Sequence, residues 1–299
     1  MTTKKNNRIL VCIDFHEQSL TALHQCYDLA RFIKAEIVLL YVIESTDFFS
    51  GFFSSNLEKV KFEVEDRLKK LVVEECADSG INFSYEIEVG KVHERILYKA
   101  KELKARFIIM GKNGSNQGFR KFLGSNAIKV ISESICPVIS IKGRYSIGYK
   151  NIVLPLNLNK STQEKVASAI SFGKFFGSHI HVVTVHSSGI ILPQSKVYNR
   201  LKRVQRTLEN NGITCTNKLF KRTKKNDHEH ILDYANEINA DLIMVMTHTE
   251  GRFRDYYIGG FAHRIINESD IPVLSIIPST SVGPDETPVE SMIDPFNLF

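Results

Sequence analysis

Short apolar runs recur along the chain, and most are followed by a longer stretch whose apolar residues return every three or four positions. Residues 8–14, Arg8-Ile9-Leu10-Val11-Cys12-Ile13-Asp14, form the first run. It reads as a strand buried on both faces, as in a parallel sheet. Over 19–34, Leu20, Leu23, Tyr27, Leu29 and Ala30 sit at helical spacing and predict an amphipathic helix. A strand is predicted at 36–43, and a long charged helix at 57–78, ending before Gly80. Phe83, Tyr85, Ile87 and Val89 alternate along 82–89, the period of a strand. Helix 92–103, strand 106–111, a glycine-containing loop, helix 125–134 and strand 137–142 complete the set. Strands alternating with helices predict a parallel sheet covered by helices on both faces.

The whole pattern occurs twice. Arg8–Asp14 aligns with Asn151–Asn157, and Ala35–Val42 with Ser178–Val185, at an offset of 143. Ala105–Met110 aligns with Ala240–Val245, and Cys136–Ile141 with Ile271–Ile276, at an offset of 135. The second copy is therefore shorter in its middle. Most of the difference maps to Thr46–Asn56, which holds Phe48, Phe49, Phe52 and Phe53 around Gly51. Phenylalanines in a loop need cover; this loop reads equally as a lid, an interface patch or packing against the second copy. The expected organisation is a first domain over 1–145, a second over 146–279 and an acidic C-terminal tail over 280–299.

Charge changes the picture only at that tail. The chain has a net charge of +6, yet Thr280–Phe299 carries Asp285, Glu286, Glu290 and Asp294 with no Lys or Arg. The body is thus more basic than the total suggests, but not enough to make nucleic acid an expected partner. No apolar run approaches the roughly 18 residues of a membrane helix, so no membrane partner is expected. The basic start, Met1–Arg8, leads only into Ile9–Ile13, too short for a signal-peptide core, and a cytoplasmic location is expected. The five cysteines, Cys12, Cys26, Cys76, Cys136 and Cys215, form no CxxC and read as buried free thiols.

The candidate chemistry sits after the strand Arg106–Met110. Met110 leads into Gly111, then Gly114, then Gly124-Ser125-Asn126, and an apolar helical segment follows from Ala127. Glycines let backbone approach an anion closely, and a helix start presents unpaired N–H groups and the positive end of its dipole. The pattern reads as a phosphate cradle. It is not a P-loop, because no Gly-Lys-Ser/Thr follows the glycines. Lys112, Arg120 and Lys121 add positive charge around it and read singly as solvated side chains.

The spacing Gly-x2-Gly-x9-Gly-Ser, set among these strands, resembles the nucleotide-binding class of the universal stress protein family, and the resemblance covers residues of about 8 to 278. It implies two tandem open α/β sandwich domains, each with a five-stranded parallel sheet in the order 3-2-1-4-5. They would form an internal pseudo-dimer through the strands Pro137–Ile141 and Pro272–Ile276. In that order Asp14 and Gly111 face one crevice at the switch point, where open α/β sheets bind ligands. The resemblance also implies roles: Asp14 contacts the nucleoside or a phosphate-borne metal, and the backbone of Val42 reads the adenine edge. Met110, Gly111 and Gly114 line ribose and phosphate, and Gly124, Ser125 and Asn126 form the phosphate-binding turn. ATP with Mg2+ is the implied ligand.

The second copy departs from this pattern. Met246, Thr249, Gly260, Phe261 and Asn157 replace Gly111, Gly114, Ser125, Asn126 and Asp14, while Gly124 persists as Gly259. A methionine obstructs the approach to a phosphate, and Phe253, Tyr256, Tyr257 and Phe261 make the loop aromatic. The second copy is expected not to bind ATP in the same manner. Its histidines, His179, His181, His186, His228, His230 and His248, admit zinc as an alternative to ordinary surface roles, although no spacing is a recognised ligand motif. The basic run Lys218–Lys225 reads as a solvated loop.

These readings point to a stress-response regulator that binds an adenine nucleotide in its first domain and signals to a protein partner, with a homodimer as a further possibility. The rivals are a ligand-free scaffold and an enzyme. No Ser-His-Asp set or carboxylate pair is suggested, so at most slow ATP hydrolysis is expected. A second-substrate motif, as an adenylate-forming enzyme requires, is not evident.

Overall fold

A computed structural model describes residues 7–44, 54–112, 124–143, 148–158, 162–186, 195–247 and 258–276. The chain divides into two compact units, Met1–Tyr145 and Ser146–Phe299. Gly114, Arg120, Lys121, His248, the phenylalanines of the 46–56 loop, the aromatic residues 253–257 and the acidic tail lie outside the described residues.

In the first unit the elements run β1 (Arg8–Cys12), α1 (Glu17–Gln25), α2 (Tyr27–Ile33), β2 (Glu36–Glu44), α3 (Ser54–Ser79), β3 (Phe83–Gly90), α4 (Val92–Glu102), β4 (Phe107–Gly111), α5 (Ser125–Glu133) and β5 (Val138–Ile141). The strands pair in the order β3-β2-β1-β4-β5, every pair parallel. α1 packs against β1, β4 and β5, α3 against β2 and β3, and α4 against β2, β3 and α5. The central strands carry the core: Ile9, Leu10, Val11, Ile37, Leu39, Phe107, Ile108 and Ile109 are fully buried. β3, at the edge, is half-buried along most of its length, as its alternating sequence predicts.

The helix predicted over 19–34 is two helices. Both the N–H and the Sγ–H of Cys26 donate to the Leu23 carbonyl, at 3.2 and 3.0 Å, which tightens the turn to i→i+3 spacing and breaks the α ladder. α2 then ends at Lys34 in the left-handed region, φ 51°. Cys26 and Cys136 are buried, and burial pushes the Cys136 thiol up to about 11. Cys76 is exposed, against the expectation of burial, because it lies on the solvent side of α3.

The second unit repeats the plan: β6 (Asn151–Pro155), α6 (Gln163–Phe176), β7 (His179–His186), α7 (Lys196–Asn210), β8 (Cys215–Lys221), α8 (Asp227–Glu237), β9 (Leu242–Met246), α9 (Gly260–Glu268) and β10 (Val273–Ile276). Its order, β8-β7-β6-β9-β10, is again 3-2-1-4-5. Residues Lys218 and Lys221 of the basic run belong to β8 rather than to a loop. Beyond the strand, Arg222 faces Asp227 at 3.6 Å and Lys225 is paired with Asp233. Among the described residues no helix is long and apolar enough to cross a membrane.

One difference between the sheets follows from a single residue. β1 pairs with β4 over four positions, ending at Cys12↔Met110. β6 pairs with β9 over two, ending at Val153↔Ile243. The Leu156 N–H donates to Val183 of β7 at 2.8 Å, so alternation turns the preceding backbone nitrogen toward β9. That nitrogen belongs to Pro155, which has no N–H to give. The ladder stops at the switch point of the second sheet.

Candidate functional site

At the carboxyl edge of the first sheet, β1 lies between β2 and β4, so the chain reverses direction around it. Asp14 follows the end of β1. Its backbone N–H donates to Ser19 Oγ at 3.3 Å, and its Oδ1 accepts the His16 N–H at 3.0 Å. Ser19 Oγ donates onward to the His16 carbonyl at 2.9 Å. These bonds close the turn into α1 and hold the half-exposed carboxylate at the strand end. Between them Phe15 adopts φ 61°, unusual for a bulky residue. Its ring lies 5.4 Å from that of Tyr41, and the Arg67 guanidinium stands 3.9 Å from its centroid.

Val42 is on the other side of β1. The last β1 register pair is Cys12↔Leu40, and the Ile13 N–H reaches the Leu40 carbonyl at 2.9 Å. β2 continues to Glu44 paired with β3 alone. Backbone groups alternate in direction, so Val42, two residues after Leu40, turns its N–H and C=O toward the side that β1 has vacated. That edge can hydrogen-bond a planar heterocycle.

The glycines divide into two kinds. A Cβ on Gly111 would lie 2.9 Å from both the carbonyl carbon and the oxygen of Gln18 in α1. Gly111 is thus demanded by helix–strand packing as much as by any ligand. Gly124 caps α5 with φ −60° and ψ 150°, a conformation open to any residue, and a Cβ there would meet nothing within 4 Å. Nothing inside the described protein accounts for a glycine at that position. Its N–H donates to the Lys112 carbonyl at 3.4 Å, which ties the start of α5 to the end of β4. The first N–H groups of α5, from Ser125 onward, have no acceptor within the helix. Asn126 turns its Oδ1 to His93 Nδ1 at 3.2 Å, so its side chain is anchored on α4.

The fold therefore gathers Asp14, Val42, Met110, Gly111, Gly124, Ser125 and Asn126 along one sheet edge. Lys112 departs from expectation: it is 2 % exposed, not solvated, because it directly follows a buried strand and its N–H is bonded to Ile141 at 2.8 Å. Gln18, Ser19 and His93 shape the site and carry no motif. Nothing in the residue pattern marks Gln18 or Ser19 beforehand.

The second unit presents the same edge with other residues. Gly259 caps α9, its N–H on the Thr247 carbonyl at 3.0 Å, and a Cβ on Gly260 would meet nothing within 4 Å. Thr247, fully buried, replaces Lys112, and Phe261, 42 % exposed, replaces Asn126. His228 keeps the place of His93 but pairs with Glu268 at 3.2 Å. Among the described residues the other histidines of this unit do not converge on one site. His179 and His181, with ring centroids 4.6 Å apart and planes tilted by 52°, lie near the amino end of β7 and share Thr216 Oγ1, at 3.3 and 2.9 Å. His186 ends the same strand, and His230 stacks on Phe220. Among the described residues no three His, Cys, Asp or Glu side chains stand together as metal ligands.

Comparison with known proteins agrees with this architecture. The universal stress protein MJ0531 of Methanocaldococcus jannaschii is 30% identical over 139 residues, covering 45% of this chain and 81% of that protein. Universal stress protein MJ0577 of the same organism is 30% identical over 156 residues, 46% of this chain and 96% of its own. Each spans about one unit. A universal stress protein structure from Archaeoglobus fulgidus, 21% identical, matches 90% of this chain and 95% of its own with a TM-score of 0.71, a likeness of fold. The model of the Universal stress protein family matches twice, over residues 5–142 and 148–276. With both sheets ordered alike and both halves matched, the chain belongs to the universal stress protein family as a tandem member.

Proposed function

We propose that the first unit binds one adenine nucleotide, ATP, and that the second has lost this capacity. The observation that carries the reading is Gly124: a helix start at the switch point, without a side chain, where a Cβ would touch no described atom. A phosphate there accepts N–H bonds from the first turn of α5 and gains about 0.3–1 kcal/mol, up to ~2 kcal/mol in a partly buried geometry, from the helix dipole. The vacated edge of β2 at Val42 takes the base, and Asp14 takes the ribose or the metal side of the phosphates. Mg2+ arrives with the phosphates, since the described side chains supply no ligand set of their own. In the second unit Met246 replaces Gly111, Phe261 replaces Asn126 in the first turn of α9 and Asn157 removes the carboxylate.

The output of such a site is regulatory. Nucleotide occupancy orders the edge between β2 and α5, and a protein partner reads that surface. Titration calorimetry of the whole chain with ATP and Mg2+ tests the reading. Binding that weakens at least tenfold in Asp14→Ala supports it. Failure of the folded native chain to bind leaves the scaffold reading in its place.

A further inference from the structure

The strongest feature outside the nucleotide site is α7. Val197, Leu201, Val204 and Leu208 are buried against the unit, and the opposite face is basic. Lys196, Arg200, Lys202, Arg203 and Arg206 oppose a single acid, Glu209, so the helix carries five positive charges against one negative. Asn199, Lys202, Arg203 and Arg206 line one shallow surface groove.

Among the described residues most of these cations have no internal partner. Arg200 donates to the Leu158 carbonyl, and Lys202 Nζ stands 4.9 Å from the Tyr198 ring centroid. Among the described residues, Lys196, Lys202, Arg203 and Arg206 have no carboxylate partner. The corresponding helix of the first unit is different: on α3, Lys69 pairs with Glu65 at 2.9 Å and Lys70 with Asp66 at 2.7 Å. Nor does helix stability explain the pattern, because Lys196 in the first turn opposes the helix dipole. A face of this kind fits an anionic occupant.

We propose that the basic face of α7 is the seat of the chain's own acidic C-terminal segment, residues 280–299. Charge matches: Asp285, Glu286, Glu290 and Asp294, with no Lys or Arg, face an excess of four positive charges on α7. Position matches as well. β10, β9, β6 and β7 are all parallel, so Ile276 ends at the edge where β7 ends and α7 begins. The sheet is about 19 Å wide from β10 to β8 at about 4.8 Å per strand, and twenty extended residues reach roughly 66 Å. Tethering keeps the segment at an effective concentration on the order of millimolar. A single-stranded nucleic acid fits less well, because the aromatic residue on this face, Tyr198, has Lys202 over its ring and offers no stacking platform.

The test uses the full chain in four forms: native; tail-neutral (Asp285→Asn, Glu286→Gln, Glu290→Gln, Asp294→Asn); face-neutral (Lys202→Gln, Arg203→Gln, Arg206→Gln); and the combination. Heparin chromatography reads access to the face, and carbodiimide cross-linking with peptide mapping reads contact. The tail-neutral form should elute from heparin at higher salt than the native chain, and that shift should vanish on the face-neutral background. Cross-links should join Glu286 or Glu290 to Lys196 or Lys202 within one chain, independent of protein concentration. Two results overturn the proposal. Native and tail-neutral forms eluting together, with the face-neutral form earlier, mean the face is open to outside polyanions. Cross-links that are absent, or found only in covalent dimers, mean the tail of this chain is not the occupant. Should the face-neutral form misfold by circular dichroism, the cross-link map of the native chain still decides.

Discussion

Gly111 and Gly124, thirteen residues apart, offer a direct separation of packing from ligand binding. In Gly111→Ala the new methyl would sit 2.9 Å from the Gln18 carbonyl carbon and oxygen, backbone atoms that cannot swing aside. Overpacking of this sort costs about 1–3 kcal/mol. In Gly124→Ala the methyl meets nothing within 4 Å, and φ −60° with ψ 150° suits alanine. The cost is limited to the poorer N-cap, about 1 kcal/mol or less. Urea denaturation without nucleotide should therefore show Gly111→Ala clearly destabilised and Gly124→Ala near native. With ATP the order of effects changes. A ligand present at 100 times its Kd raises stability by about 2.7 kcal/mol, roughly 5–10 °C in Tm for a cooperative unit of 150–250 residues. A methyl in the phosphate cradle that weakens binding a hundredfold leaves about 0.4 kcal/mol of that gain. Differential scanning fluorimetry with and without ATP and Mg2+ reads this. A Gly124→Ala chain that keeps the full ATP-dependent rise refutes the site assignment, and an unaffected Gly111→Ala chain refutes the packing argument.

Three further outcomes are expected. Lys34 closes α2 at φ 51°, where the second unit has Gly177 at φ 60° closing α6; Lys34→Gly should raise stability by about 1 kcal/mol, seen as a higher urea midpoint. His181 is held near a pKa of about 4, first by burial and then by the charge of His179. Its folded pKa lies below the unfolded value, so the unfolded chain takes up the proton first, and stability should fall as pH drops from about 6.5 toward 4; thermal melts of His181→Gln across that window should show a smaller loss. Because Ile243 and Thr247 turn their N–H groups to β10, Met246 faces β6 beyond the last paired position; its amide should exchange with deuterium faster than that of Gly111.

The fold could be read from the chain because its signals are local. Apolar runs such as Ile9–Ile13 and Phe107–Met110 specify buried strands, and the offsets of 143 and 135 align the two copies. The candidate site is legible as a set of positions, since Asp14, Gly111 and Gly124 all lie at strand or helix ends. The reasons for individual residues are not. Gly111 reads as a phosphate contact, yet the backbone of Gln18 lies where its Cβ would be, and only the packing of α1 on β4 reveals that. Lys112 reads as a surface charge and is buried. Phe15 takes a left-handed backbone without any glycine or asparagine to announce it. Pro155 is plain in the sequence, but its effect on β9 depends on which way its nitrogen turns, a matter of register.

Nucleotide stoichiometry separates one functional unit from two. The purified full-length chain is denatured, released nucleotide is quantified by mass spectrometry, and the nucleotide-free native chain is titrated with ATP and Mg2+. About one ATP per chain is expected, lost in Gly124→Ala with the fold intact. Two equivalent sites per chain, or no binding by a folded chain, would contradict the asymmetry between the units.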